Sequence, residues 1–328
     1  MFPAVLGVGS PLLDVLAQVG DDFLKKYVSG AKGGMEMISP AERASLMTQL
    51  GDNVQWVPGG SAGNTVFALA VLGAESAMLG KTGADREGEY YRNKLLSSGG
   101  SDREFVITED APTGICISLI TPDAERTMRS DLGAAQLLTP EDVQKVDFSR
   151  YGIVLIEGYM LFSAAFDAVI EQAEKAGCRI AFDLASFEVV RIFRDRIESL
   201  LDKVDILFAN ADEAAELLGN IPAEEQLKRL GERCRIVALK QGRAGAFVKR
   251  ENEVVQVPAE LVENPVDTTA AGDLWAAGFL YGLVKAAPLQ ACAKFGAILS
   301  GEVVKVIGSQ LSDEVWNSVK TKFNQITG

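Results

Sequence analysis

Asp273 closes the stretch DTTAAGD, residues 267–273, where the small residues Ala270, Ala271 and Gly272 precede a run with apolar positions at Ala276, Phe279, Leu280, Leu283 and Val284. That spacing predicts a helix with Asp273 in its first turn. The free N–H groups of a helix start carry roughly half a positive charge, and small side chains leave them open to an anion such as phosphate. A carboxylate beside such a site would repel the anion unless it had another task, such as accepting the proton of an alcohol that attacks phosphorus. Capping the helix is the plainer use of an aspartate there. The residues alone leave both open.

The rest of the composition narrows the chemistry. The chain has no histidine, which excludes Ser-His-Asp and Cys-His catalysis, an HExxH zinc site and any histidine base. Catalysis must rest on carboxylates, lysine, arginine or backbone amides. The formal charge of −13 over 328 residues argues against nucleic acid or an anionic membrane as main partner, while a local basic pocket for a small anion stays compatible with it. Two phosphate motifs fail: GKT at 80–82 would need glycine where Glu75 stands, and GVGSPLLD has Leu12 in place of the third glycine of GxGxxG. Cys116, Cys178, Cys234 and Cys292 lie far apart in apolar or helical surroundings, as reduced core thiols would. With no long apolar run and no basic segment before the first apolar stretch, the expectation is a cytoplasmic protein.

The elements that must hold Asp273 follow from periodicity. SAMLGKTG, YGIVLIEGYMLF, RIAFDLA, VDILFAN and RIVALKQG read as buried strands, and GGSAGNTVFALAVLG, DREGEYYRNKLLSSG, AAFDAVIEQAEKAG, FEVVRIFRDRIESLLDK and ADEAAELLG as helices between them. This alternation predicts an α/β fold: a mostly parallel central sheet between two helix layers, with ligands at the C-terminal strand ends. Residues 12–38 and 103–130 instead alternate apolar and polar around turn residues, as antiparallel strands do. They are expected to form a small interleaved β lid on a body made of 1–11, 39–102 and 131–328.

Four stretches together carry a resemblance. DTTAAGD is similar to the DTxGAGD signature of the ribokinase-like, or PfkB, carbohydrate kinases, GGSAGNT at 59–65 to their N-terminal glycine motif, NADEAAEL at 210–217 to their NxxE segment, and LKQGRAGAFV at 239–248 to the strand and turn beside the nucleotide. The four occur in family order across nearly the whole chain. Residues 7–27, 111–128, 204–215 and 292–308 look most like segments of the adenosine kinases within that family. The resemblance implies a ribokinase-like three-layer α/β/α body with a small β-sheet lid, using ATP and Mg²⁺ to phosphorylate the 5′-hydroxymethyl group of a nucleoside, adenosine first. A ribokinase- or fructokinase-like sugar kinase is the alternative, and a non-catalytic nucleoside- or sugar-binding relative the third. Ser10 stands where adenosine kinases usually carry asparagine, and Tyr159 and Met160 where they tend to have two phenylalanines near the base.

Position by position, the resemblance makes Asp273 the catalytic base and puts Ala270, Ala271 and Gly272 at the anion hole, where Ala270 replaces a usual glycine. A Cβ at 270 restricts the loop but keeps the N–H, so altered loop freedom with activity retained is expected. Asn210 and Glu213 match the pair that orders water around Mg²⁺; a helix N-cap with an acidic first turn would use the same residues. Asp14 matches the carboxylate that holds sugar hydroxyls, and Gly59, Gly60 and Asn64 the rest of that edge; a tight turn before a helix explains the glycines equally. Arg126 matches a lid arginine that reaches the transferring phosphate when the lid closes, with Arg129 as a competitor for the role. Lys240, Gly242 and Gly245 fall beside the nucleotide. The expected partner is a small nucleoside or sugar, the state monomer or homodimer, and a monovalent cation is left open.

Overall fold

Runs rich in Ile, Val, Leu and Phe become strands with both faces covered, and in the computed structural model, which describes residues 4–123 and 125–327, they order into two sheets. The strands are β1 (Val5–Val8), β2 (Leu12–Gln18), β3 (Met35–Met37), β4 (Gln55–Pro58), β5 (Ser76–Gly83), β6 (Phe105–Thr108), β7 (Thr113–Ile120), β8 (Arg126–Gly133), β9 (Ile153–Glu157), β10 (Arg179–Asp183), β11 (Ile206–Asn210), β12 (Ile236–Lys240), β13 (Ala246–Arg250) and β14 (Glu253–Val257). The helices are α1 (Asp21–Tyr27), α2 (Pro40–Leu50), α3 (Ser61–Val71), α4 (Arg86–Ser97), α5 (Pro140–Gln144), α6 (Phe166–Ala176), α7 (Phe187–Leu200), α8 (Ala211–Leu218), α9 (Ala223–Leu230), α10 (Ala271–Val284), α11 (Leu289–Val303) and α12 (Asp313–Thr327).

The large sheet runs β14-β13-β12-β11-β10-β9-β1-β5-β6. It is parallel from β12 to β6, and β13 and β14 add an antiparallel edge. Alternation along β9 shows the layering: Val154 and Ile156 pack with Val169, Val190 and Leu217 of α6, α7 and α8, whereas Ile153 and Leu155 pack with Leu69, Phe279 and Phe295 of α3, α10 and α11. The three-layer α/β expectation holds. Helix α10 lies deep in the second layer, its Trp275 ring stacked on Phe279 at 5.4 Å and edge-on to Phe208 at 6.2 Å. Gly278 lets α10 press against α11; a Cβ there would lie 2.4 Å from the Phe295 carbonyl oxygen.

The small sheet runs β3-β8-β7-β2-β4. Val15, Ala17, Ile115, Ile117 and Leu119 pack with Leu24 of α1 and Leu46 of α2, so both helices cover one face. The register sets Asp14 beside Cys116 and Cys116 beside Ser130 on the other face.

The expected lid boundaries need correction. β4 lies outside 12–38 and 103–130 yet pairs antiparallel with β2, while β6 lies inside 103–130 yet pairs parallel with β5 in the large sheet. Asp21–Tyr27 is helical. Short edge strands carry too few residues for their pattern to name the sheet that receives them. GYMLF at 158–162, expected to extend β9, is a 3₁₀ turn. The four cysteines are free and buried, and no helix among the described residues is long and apolar enough to cross a membrane.

Candidate active site

Helix α10 begins at Ala271 after Ala270, which makes no side-chain cap. Asp273 does not cap the helix either. Its Oδ1 accepts from Ser61 Oγ at 2.7 Å and its Oδ2 from Asn64 Nδ2 at 2.8 Å, while Thr65 Oγ1 donates to its carbonyl at 2.9 Å. All three donors come from the first turns of α3, so the GGSAGNT and DTTAAGD segments meet at this carboxylate. Burial pushes its pKa up to about 6, the Asn64 and Ser61 bonds pulling down, Asp183 adding to the rise and Lys240 opposing it. A carboxyl poised near neutrality suits a general base.

The expected anion site differs in one amide. Ala271 N–H donates to the Thr268 carbonyl at 3.1 Å; among the described residues those of Ala270, Gly272 and Asp273 have no protein acceptor. Thr268 folds back in a tight turn that claims the middle of the expected trio.

In the small sheet, Asp14 faces Gly59 so closely that a Cβ at 59 would lie 2.5 Å from its Oδ2. Gly60, at φ 84°, would drive a Cβ to 2.2 Å from the Ser10 carbonyl oxygen. The Asp14 carboxylate accepts no hydrogen bond from the described residues, and burial pushes its pKa up to about 7, Arg126 opposing and Asp267 and Asp273 adding. Asn64, expected at the sugar edge, is turned to Asp273; its buried Oδ1 has no partner among the described residues.

A cavity of about 530 Å³ is lined by Asp183, Asn210, Glu213, Lys240, Gly242, Gly245, Gly272 and Asp273, among others. Lys240 Nζ pairs with Asp183 Oδ2 at 3.2 Å and would lie 3.2 Å from a Cβ on Gly272, which brings a cation to the start of α10. Asn210 and Glu213 form a capping box on α8: Asn210 Oδ1 accepts Glu213 N–H at 2.9 Å, and Glu213 accepts Asn210 N–H at 2.7 Å and Nδ2 at 2.6 Å. The plainer account of that pair is thus realised, in the cavity wall. For Mg²⁺ the fit is indirect: the oxygens already accept protein donors, so they suit the water of a hydrated ion and not direct ligation.

Arg126 lies elsewhere than the cavity. Its guanidinium pairs with Asp267 and donates to Thr269 Oγ1 and Ser118 Oγ, each at 2.8 Å. Asp267 also accepts Gly308 N–H at 2.8 Å and Thr269 N–H at 3.0 Å. Arg126 therefore ties the small sheet to the loop before α10. Arg129 is no competitor: fully buried, it donates to the Ser29, Ala31 and Met128 carbonyls. Ser61, Asp183 and Asp267 escaped sequence reasoning as site residues. Asp183 had a signal, since an acid that ends an apolar strand points to the ligand end of a parallel sheet.

The family model of the pfkB family carbohydrate kinases matches residues 30–316. The chain belongs to that family. A solved probable sugar kinase from Rhizobium etli CFN 42 is similar to the kinase with a TM-score of 0.87 and 30% identity, covering 98% of this chain and 99% of that one. The adenosine kinase of Sinorhizobium meliloti gives 0.86 and 31%, over 98% and 100%. Adenosine kinase 2 of Arabidopsis thaliana is 27% identical over 93% of this chain and 94% of its own length. The kinase is accordingly an ATP-dependent phosphotransferase of the carbohydrate and nucleoside class.

Proposed function

We propose that the kinase transfers the γ-phosphoryl group of ATP to the 5′-hydroxyl of a nucleoside, adenosine first. The observation that carries this is the Asp273 carboxylate, held by Ser61 and Asn64 in the wall of the donor cavity and free of any capping task. In this mechanism Asp14, without a donor among the described residues, accepts the ribose hydroxyls. Asp273 takes the 5′-hydroxyl proton as that oxygen attacks phosphorus, while the Gly272 N–H and Lys240 stabilise charge on the transferring group. Asn210 and Glu213 would hold Mg²⁺ through water, and the ion would neutralise charge on the phosphate oxygens. Arg126 keeps the small sheet against the 267–269 loop, so that water is excluded from the acceptor side.

The likeness to adenosine kinases over nearly the full chain supports the nucleoside; the similar match to a probable sugar kinase keeps a sugar acceptor as the second reading. ADP release with ATP and, in turn, adenosine, guanosine, inosine, cytidine, ribose and fructose separates them. The highest kcat/KM with adenosine is expected. A sugar preferred over every nucleoside overturns the nucleoside assignment, and no turnover with any acceptor, at high enzyme, would favour a binding protein.

A further inference from the structure

We propose that Glu157 is a positioning residue for the phosphoryl transfer: from the end of β9 it fixes the start of α3, and through Ser61 and Asn64 the base Asp273. This role rests on the assignment of Asp273 as base. Glu157 is 2% exposed. Its Oε2 accepts Ala62 N–H at 2.8 Å and its Oε1 accepts Ser10 N–H at 2.9 Å. Ala62 is the second residue of α3, and the residue that should cap this helix, Gly60, has no side chain to do so. A residue 95 positions away in the chain supplies the missing acceptor. The same carboxylate grips the turn between β1 and β2, so one side chain joins the segment leading to Asp14 to the segment carrying Ser61 and Asn64.

Such a carboxylate is an unusual choice for a core strand. Burial pushes its pKa up to about 7 against the pull of its two amide bonds. Among the described residues it has no ion-pair partner, and the α3 N-terminus is the positive end that faces it. An apolar side chain would fill the space without desolvating a charge. What it could not do is hold two backbone segments at once, each by a separate oxygen. Gln cannot either, because its NH₂ group would oppose one of the two N–H donors.

The test is a double-variant cycle in the full chain, read by kcat with ATP and the best acceptor of the panel. Glu157→Gln is expected to lower kcat by about 10- to 100-fold, because sub-ångström misplacement of a reacting group suffices for such a loss, and to leave KM for ATP within about twofold. In an Asp273→Asn background, where no base remains to be misplaced, the same change is expected to alter residual turnover by less than about threefold. Parental kcat in E157Q, or an equal loss in both backgrounds, overturns the proposal and leaves Asp273 as base untouched. Parental kcat in D273N overturns both. If E157Q does not fold, E157D, which keeps both acceptor oxygens one methylene further back, carries the same cycle with the same outcomes.

Discussion

Replacing Ser61 with alanine removes one of the two donors that hold the Asp273 carboxylate, and the size of the effect follows from the geometry. Ser61 Oγ donates at 2.7 Å and Asn64 Nδ2 at 2.8 Å. A hydrogen bond to a charged group contributes about 1.5–3 kcal/mol, and about 1.4 kcal/mol moves an acid's midpoint by one pH unit. Asp273 lines the cavity, and in the ligand-free enzyme water entering it replaces part of the lost bond, so the midpoint of Asp273, held at about 6 by burial, should rise to about 7. The base works only when ionised. At pH 6 the ionised fraction falls from about a half to about a tenth, and kcat/KM should drop about fivefold, whereas at pH 8.5 it should stay within about twofold of the parent. The assay is coupled detection of ADP from pH 5 to 9 at subsaturating acceptor. An acidic limb that does not move, or a loss equal at every pH, refutes the assignment of that limb to a hydrogen-bonded Asp273.

Asp273→Asn should lower kcat by about two to four orders of magnitude with little change in acceptor KM, and near-parental turnover would remove this carboxylate from the chemistry. Glu213→Ala leaves the Asn210 N–H without its buried acceptor and should cost about 1–3 kcal/mol by denaturant melts while raising KM for ATP; unchanged values of both count against its place in the donor wall. Asp14 and Glu157 are held at about 7 and Asp273 at about 6, above the value of about 4 for carboxyls in an unfolded chain. The folded state therefore binds more protons between these values, and the stability so gained, complete below about pH 4, is lost as pH rises through 6 to 7. The ligand-free melting temperature should fall from pH 5 to 8, and Asp14→Asn should flatten the fall; a melting temperature rising over this interval contradicts the raised values.

Much of this architecture was legible because buried parallel strands advertise themselves. IVLIE, RIAFD, ILFAN and IVALK are apolar on both faces and end at the ligand side, so their runs gave the sheet and their last residues its edge. The DTTAAGD stretch likewise announced a helix start. What escaped depends on long-range pairing. Nothing local in QWVP or FVIT states that the first joins β2 and the second β5. Asn64 could be assigned to the sugar edge from its motif, but its rotation toward Asp273, 209 residues away, exists only once α3 and α10 meet. Arg126 could be matched to a phosphate clamp, yet its partner is Asp267, the first residue of the very motif that marks the site. Periodicity reports which face is buried and is blind to which distant partner a polar atom finds there.

The interlock of α10 with α11 at Gly278 divides the labour of change. A helix wedged between the sheet and a neighbour at van der Waals contact cannot swing to suit a new acceptor without a cavity or a clash in the core. Under the proposed placement of the acceptor at Asp14, adaptation to a new one, in one catalytic cycle or over a lineage, falls to the five-stranded sheet that carries this residue. Engineers seeking a different alcohol would do well to rewrite β2, β4 and β7 and leave the floor alone.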